Sequence, residues 1–177
     1  RGDSALLCMP LDYIAGKMMV VRAIVWGLQL IEVSPCGHPL KQIDTPPVFA
    51  AMVPMQVYNS MQDDDERQKL WQIKHLIIGG GAISDEMAAE LRLHPNAVWS
   101  TYGMTETLSH IALRRLSGPQ ASEWYEPFDG VNVSINADGC LVIDAPTVCA
   151  LPLTTNDIAE IAADGRRFRI RGRKDNV

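Results

Sequence analysis

An α/β layer followed by a small antiparallel β unit is the architecture this sequence predicts, and two observations carry it. From Ser4 to about Leu116, short apolar runs alternate with stretches of helical periodicity, as strands separated by helices do. After Pro119 the texture changes to pairs of short alternating runs around glycine-bearing turns, which is how hairpins read. The expected division is residues 1–117 for the α/β layer and 118–172 for the antiparallel unit, with Ser117–Ser122 as the linker and 173–177 as a closing segment.

In chain order, the candidate strands of the first layer are Ala5–Met9, Leu28–Val33, Val48–Val53, His75–Ile78 and Ala97–Thr101. A helix is expected from about Gly16 to Trp26, and Pro54 suits a first helical turn, where its missing N–H costs nothing. Ser84 followed by Asp85 and Glu86 reads as an N-cap with an acidic first turn, for a helix ending near Leu93 ahead of Pro95. Asp63-Asp64-Asp65-Glu66 reads as solvated carboxylates on a surface turn or helix start rather than a metal cluster. Beyond the linker, Val131–Ile135 and Cys140–Asp144 flank Asn136-Ala137-Asp138-Gly139, and Ile158–Ala162 and Arg167–Arg171 flank Ala163-Asp164-Gly165-Arg166. Arg166, Arg167, Arg169 and Arg171 read as a solvated basic strand face.

The 177 residues, 47% of them hydrophobic, suffice for a substantial core, and a net charge of −5 argues against nucleic acid as a partner. The longest apolar stretch, Met18 to Leu28, is interrupted by Arg22 and falls short of the roughly 20 apolar residues a membrane span needs. Cys8, Cys36, Cys140 and Cys149 are scattered without a C-x-x-C pair, which fits reduced thiols in the cytoplasm. An opening at Arg1 and a close at Val177, just after a charged run, read as the ends of a fragment.

Three clusters sit where strands should end, the usual place for ligands in α/β folds. Gly79-Gly80-Gly81-Ala82 follows the strand His75–Ile78; its glycines allow a sharp turn and close approach to a ligand, or simply a tight βα turn, and it is not a G-x-G-x-x-G fingerprint. Ser100-Thr101-Tyr102-Gly103-Met104-Thr105-Glu106-Thr107 follows Ala97–Trp99. There Tyr102 offers a ring for a base, Thr105 a hydroxyl for phosphate and Glu106 a carboxylate for a hard cation; a helix N-cap at Thr105 with Glu106 on the dipole is the plainer alternative. In Thr154-Thr155-Asn156-Asp157 the aspartate can accept both hydroxyls of a ribose, or merely open a turn.

Taken together and in order, these segments resemble the adenylate-forming superfamily of acyl-CoA synthetases, luciferases and peptide-synthetase adenylation domains. Ser100 to Ile111 is similar to its Y-G-x-T-E signature, which implies that Tyr102 and Gly103 line adenine, Thr105 meets phosphate and Glu106 binds Mg²⁺, Thr105 and Glu106 being the catalytic pair. Gly79, Gly80, Gly81 and Ala82 resemble the loop bordering adenine and the acyl pocket, and Asp157 the ribose-binding aspartate of a T-x-D segment. Gly172 to Val177 is similar to the hinge segment, with Arg173 toward ribose or phosphate and Asp175 as the pivot for a C-terminal domain. Met9 to Gly16 resembles P-L-x-H-x-x-G, except that Tyr13 replaces the histidine that commonly gates the acyl pocket.

The resemblance implies that a carboxylic acid is activated by ATP to an acyl-adenylate and then transferred to CoA, with Mg²⁺ as cofactor. Within the superfamily, Tyr13-Ile14-Ala15-Gly16-Lys17 with Arg22, and Ile78 to Ile83, are most similar to the o-succinylbenzoate–CoA ligases of menaquinone biosynthesis. Such a substrate keeps a second carboxylate that Lys17 or Arg22 could pair, though both could equally snorkel or make structural ion pairs. Another aryl or acyl-CoA ligase, or a non-catalytic nucleotide-binding module, are the alternatives. The family's phosphate loop is expected before Arg1 and its catalytic lysine after Val177, so the chain alone is expected to be inactive or nearly so. Homo-oligomerisation is compatible with the sequence.

Overall fold

A computed structural model describes residues 2–176; Arg1, and Val177 at the end of the hinge-like segment, lie outside the described residues. The chain folds as two compact units, one of residues up to Ser100 together with Arg115–Ala121, the other of Thr101–Arg114 with residues from Ser122 onward.

The first unit is built on parallel strands β1 (Ser4–Leu7), β2 (Gln29–Glu32), β3 (Phe49–Met52), β4 (His75–Ile78) and β5 (Ala97–Gly103, which leaves the unit after Ser100), in the order β2-β1-β3-β4-β5. Side chains alternate across a strand, so a sheet covered on both faces needs apolar residues at consecutive positions. That is what the strands supply. Leu6, Ala50, Met52, Leu76, Ile78 and Val98 pack into one cluster, while their neighbours Ala5, Leu7 and Ala51 pack into another.

Helix α1 (Ile14–Trp26) places Met19 in the second cluster and ends on Gly27, whose φ of 65° is the left-handed conformation glycine adopts freely. Val21, Ile24, Val25 and Trp26 on α1 are exposed. The other cluster receives Val57 and Met61 from α2 (Pro54–Met61), Leu70 from α3 (Asp64–Gln72), and Met87 and Leu91 from α4 (Asp85–Leu91). Pro54 opens α2, and Ser84 caps α4 by accepting from the Met87 N–H at 3.2 Å, both as expected. The connection from β2 to β3, residues 33–48, holds a 3₁₀ turn, Pro39–Gln42, and no α-helix.

Two local expectations need correction. Asp63 is a helix cap, accepting from the Glu66 N–H at 3.1 Å, and Lys41 and Lys69 pair with Asp63 and Asp65. Glu66 itself is fully buried rather than solvated, its carboxylate 2.6 Å from His38 Nδ1 and accepting from the Ser60 hydroxyl at 3.0 Å. The expected linker starts on a buried anchor: Ser117 donates to the Asn96 carbonyl at 2.6 Å and accepts from the Val98 N–H at 3.0 Å.

The second unit holds β6 (His110–Arg115, its last residue counted with the first unit) antiparallel to β7 (Glu126–Pro127). It also holds an antiparallel sheet of β8 (Asn132–Ile135), β9 (Cys140–Asp144), β10 (Leu153–Ile161) and β11 (Phe168–Arg173) in the order β11-β10-β9-β8. The first hairpin turn is closed by the Asn136 side chain, which accepts from the N–H groups of Asp138 and Cys140, with Gly139 at φ 80°. In the second, Asp164 does the same for Arg166 and Arg167. The β10 ladder to β9 shifts register between Thr154 and Ile158, a bulge that leaves Asp157 without a partner on β9 while it stays paired with Arg173 of β11. Of the arginines expected to be a solvated face, Arg166, Arg167 and Arg171 are exposed and Arg169 is half-buried, and all four are charge-paired: Arg169 and Arg171 with Glu160, Arg167 with Asp164, and Arg166 with Asp129.

His94, 3% exposed, lies 3.0 Å through Nε2 from the Leu70 carbonyl and accepts at Nδ1 from the Asn96 N–H at 3.1 Å. Only a neutral imidazole can do both, and burial pushes its pKa below the ordinary value. The unfolded chain therefore takes up this proton first, and stability is lost as pH falls through the ordinary imidazole value of about 6.5. Thermal unfolding followed by circular dichroism is expected to show a lower Tm for His94→Gln at pH about 7.5, and a flatter dependence down to about 5.5 than the parent shows. Equal pH slopes would contradict this.

Candidate functional site

In the first unit the glycine loop leaves β4 with the Gly79 N–H donating to the Met52 carbonyl at 3.1 Å. Gly80 sits at φ 78°, a conformation that disfavours any side chain, and a Cβ on Gly81 would come within 3.4 Å of Pro54 Cγ. Gly80, Gly81 and Ala82 lie at the strand end, Gly81 exposed. The three residues expected at the acid lie at or on α1: Tyr13 is its N-cap residue and 69% exposed, Lys17 is exposed, and Arg22 carries its Nη1 3.8 Å from Met19 Sδ. Burial lowers the Arg22 pKa. Gly16 has a reason that the motif alone does not reveal, since a Cβ there would overlap the Pro10 carbonyl oxygen and lie 2.9 Å from that of Met9.

The second unit brings four of the predicted residues together, Tyr102, Asp157, Arg173 and Asp175. Tyr102 projects from the end of β5 into an aromatic cluster, its ring edge-on to Phe168 at 5.1 Å and tilted against Tyr125 at 5.7 Å. Its hydroxyl donates to Asp157 Oδ2 at 2.6 Å. Arg173 Nη1 stands 3.6 Å from Asp157 Oδ1, and the same guanidinium grips Asp175 through two 3.0 Å hydrogen bonds. Burial and the adjacent carboxylate push the Tyr102 phenol above its ordinary range. The backbone at Asp157 is held in turn by Thr155, whose hydroxyl accepts from the Asp157 N–H at 3.1 Å and donates to the Leu141 carbonyl at 2.9 Å.

Thr105 and Glu106 follow Tyr102 on an exposed 3₁₀ turn, Thr105–Thr107, rather than at an α-helix start with Thr105 as N-cap. Thr107, which the motif reading leaves without a role, organises the turn. Its buried hydroxyl accepts from the Met104 N–H at 3.0 Å and contacts the carbonyl oxygens of Met104 and Ser109 at 3.0 and 2.7 Å. Leu108 takes φ 61°, rare outside glycine, to complete the reversal. A Cβ on Gly103 would lie 2.5 Å from His110 Cα and overlap the Ser109 carbonyl oxygen, so glycine is a steric requirement here.

Among the described residues no group of three or more His, Cys, Asp or Glu could hold a metal by itself. One exposed carboxylate beside a hydroxyl suits a cation that takes most of its shell from phosphate oxygens and water, as Mg²⁺ does. A cleft of about 320 Å³ bounded by Phe128, Asp129 and Arg166 contains none of the predicted residues.

The model of the AMP-binding enzyme family matches residues 1–152. The chain belongs to the AMP-binding enzyme family. A solved acyl-CoA synthetase (AMP-forming)/AMP-acid ligase II-like protein from Dyadobacter fermentans superposes with a TM-score of 0.86 at 35% identity, over 99% of this chain and 50% of that one. E. coli MenE bound to an m-phenylether-linked analogue of OSB-AMS gives 0.78 at 21% identity, over 99% of this chain and 40% of that one. MenE of Bacillus subtilis, with ATP and magnesium, gives 0.73 at 16%, over 99% of this chain and 42% of that one, and these two likenesses speak to the fold alone. The 2-succinylbenzoate–CoA ligase of Staphylococcus epidermidis is 24% identical over 106 residues, 59% of this chain and 22% of that protein. The chain thus spans about half of the Dyadobacter structure and about a fifth of this curated relative in its match. The α/β layer followed by an antiparallel unit is the fold of this family.

Gly103→Ala is expected to cost about 1–3 kcal/mol in urea unfolding, because main chain rather than a flexible side chain must give way. Gly172→Ala, where the added Cβ meets nothing within 4 Å, is expected to stay within about 0.5 kcal/mol. Equal costs at the two positions would refute the steric argument.

Proposed function

We propose that this chain supplies the nucleotide-binding part of an AMP-forming acid–CoA ligase. The observation that supports this most is the convergence of Tyr102, Asp157 and Arg173, far apart in sequence, with Thr105 and Glu106 on the turn that follows Tyr102. Asp157 would accept the ribose hydroxyls, Tyr102 and Gly103 would border adenine, and Arg173 would stand between ribose and phosphate. The loop Gly79–Ala82 would give a ligand close access to main chain at the end of β4.

In this reading the acid carboxylate attacks the α-phosphate of ATP, releasing pyrophosphate, and the CoA thiolate then displaces AMP from the acyl-adenylate. Mg²⁺, when bound, neutralises phosphate charge; Glu106, with Thr105 toward the phosphate, would hold it. Asp175 would be the pivot for a domain that completes the second step, and its bidentate hold on Arg173 joins that pivot to the nucleotide site. For the acid we favour o-succinylbenzoate, with Lys17 or Arg22 pairing its second carboxylate and Tyr13 as an aromatic lid at the start of α1; the likeness to 2-succinylbenzoate–CoA ligases supports this choice. None of the described helices is long and apolar enough to cross a membrane, and a cytoplasmic location belongs to the same proposal.

Removing a charge-assisted acceptor pair costs about 1.5–3 kcal/mol, so Asp157→Asn is expected to weaken ATP binding about 10- to 100-fold by calorimetry. Glu106→Gln is expected to abolish the Mg²⁺ dependence of that binding and to leave Mg²⁺-free binding near the parent's. Thioester formation by the protein containing this chain should proceed from o-succinylbenzoate. Product from benzoates or fatty acids alone would remove that substrate and keep the ligase class, and an absence of adenylate with any acid would remove the class.

A further inference from the structure

We propose that the Tyr102 hydroxyl, rather than its ring alone, sets the sugar selectivity of this site by fixing the plane of the Asp157 carboxylate. The inference rests on Asp157 being the ribose acceptor. A carboxylate turns easily about its last torsion, because an sp³–sp² rotor has broad wells, and an acceptor for a diol must present two lone pairs at once in a defined plane. Around Asp157 the main chain is held by Thr155 at 3.1 Å, but that bond does not touch the carboxylate. Arg173 approaches Oδ1 only to 3.6 Å, and its Nε and Nη2 are directed to Asp175. The short bond is the one from Tyr102 to Oδ2, at 2.6 Å, and an ionised acceptor makes it a strong one.

Tyr102 can perform this role because its own ring is immobilised. Phe168 is fully buried and meets the ring edge-on at 77°, and Tyr125, 9% exposed, packs against both. The phenol has one hydrogen, and giving it to Oδ2 leaves Oδ1 and the second lone pair of Oδ2 for a ligand. A diol finds these acceptors already aligned. A sugar without hydroxyls gains nothing from the alignment. Tyr102 is thus a positioning residue acting through Asp157, and its effect should appear only for nucleotides that carry the diol.

The test compares the affinities of the whole chain for ATP and for 2′,3′-dideoxy-ATP, each with Mg²⁺, by isothermal titration calorimetry. Tyr102→Phe keeps the ring and its packing and deletes only the hydroxyl. The expected result is a loss of about 10-fold for ATP, with dideoxy-ATP changed by less than about 2-fold, so that the preference for ribose narrows. Equal weakening of both nucleotides would assign Tyr102 a general structural role, and no change in either would assign it to packing alone; each overturns the proposal. Asp157→Asn separates this from the parent reading. If Asp157→Asn narrows the preference and Tyr102→Phe does not, the hydroxyl mechanism falls and the ribose site stands. Should Asp157→Asn leave the preference intact, or the unaltered chain show none, the ribose assignment falls and the mechanism with it.

Discussion

A hydrogen bond of 2.6 Å ties the end of a core strand to a bulge in an antiparallel sheet, and the second unit is organised around it. Magnitudes separate what this bond does from what holds it. Burying Phe168 stabilises by about 1.5–3 kcal/mol, and each aromatic contact with Tyr102 and Tyr125 adds about 0.5–1.5 kcal/mol. The hydrogen bond to a carboxylate contributes a net of about 1.5–3 kcal/mol, the desolvation of its partners already included. The apolar wall therefore supplies the stability, and the polar contact specifies where a carboxylate stands. Phe168 opens β11 and Tyr125 bridges to it, so the same residues that close the core also aim the polar groups.

In the first unit a different constraint operates. Parallel strands covered on both faces leave no room for polar side chains until the strand ends, which is why β4 runs from an exposed His75 through buried Leu76 and Ile78 into glycines. Chemistry is pushed to the loops by the same rule that makes the strands apolar. Gly80 serves conformation, Gly16 close approach to a carbonyl, and Gly103, in the second unit, close approach of a strand to its own returning chain.

Most of the strands were legible because they are short apolar runs ended by glycine, proline or acidic residues, and β4 and β9 fall on the expected residues. Strands β6 and β7 were not, since His110–Arg115 carries two arginines and Glu126–Pro127 is only a two-residue pairing. Pro54 opens a helix, and a second one starts behind Asp63, at the acidic run already legible as a turn or helix start. The candidate turn at Tyr102 was readable from residue types, but Thr107, His94, Ser117 and Glu66 were not. Each is polar by type and buried by tertiary context, and only the partner, such as Ser60 for Glu66 or Leu70 for His94, turns burial from a cost into a fixed geometry.

The path of the main chain through the two units carries a practical consequence. It passes from one to the other after Ser100, back after Arg114, and out again after Ala121. Contiguous truncation therefore cannot isolate either unit: a chain cut at Ser100 loses Leu116 and Ser117 from the interior of the first unit, and one begun at Thr101 carries them along without their neighbours. Protease nicking in the stretch Pro119–Gln120 should accordingly yield pieces that stay associated until denatured, because Ile111 and Ala112 on one side of the nick share a core with Tyr125 and Phe168 on the other.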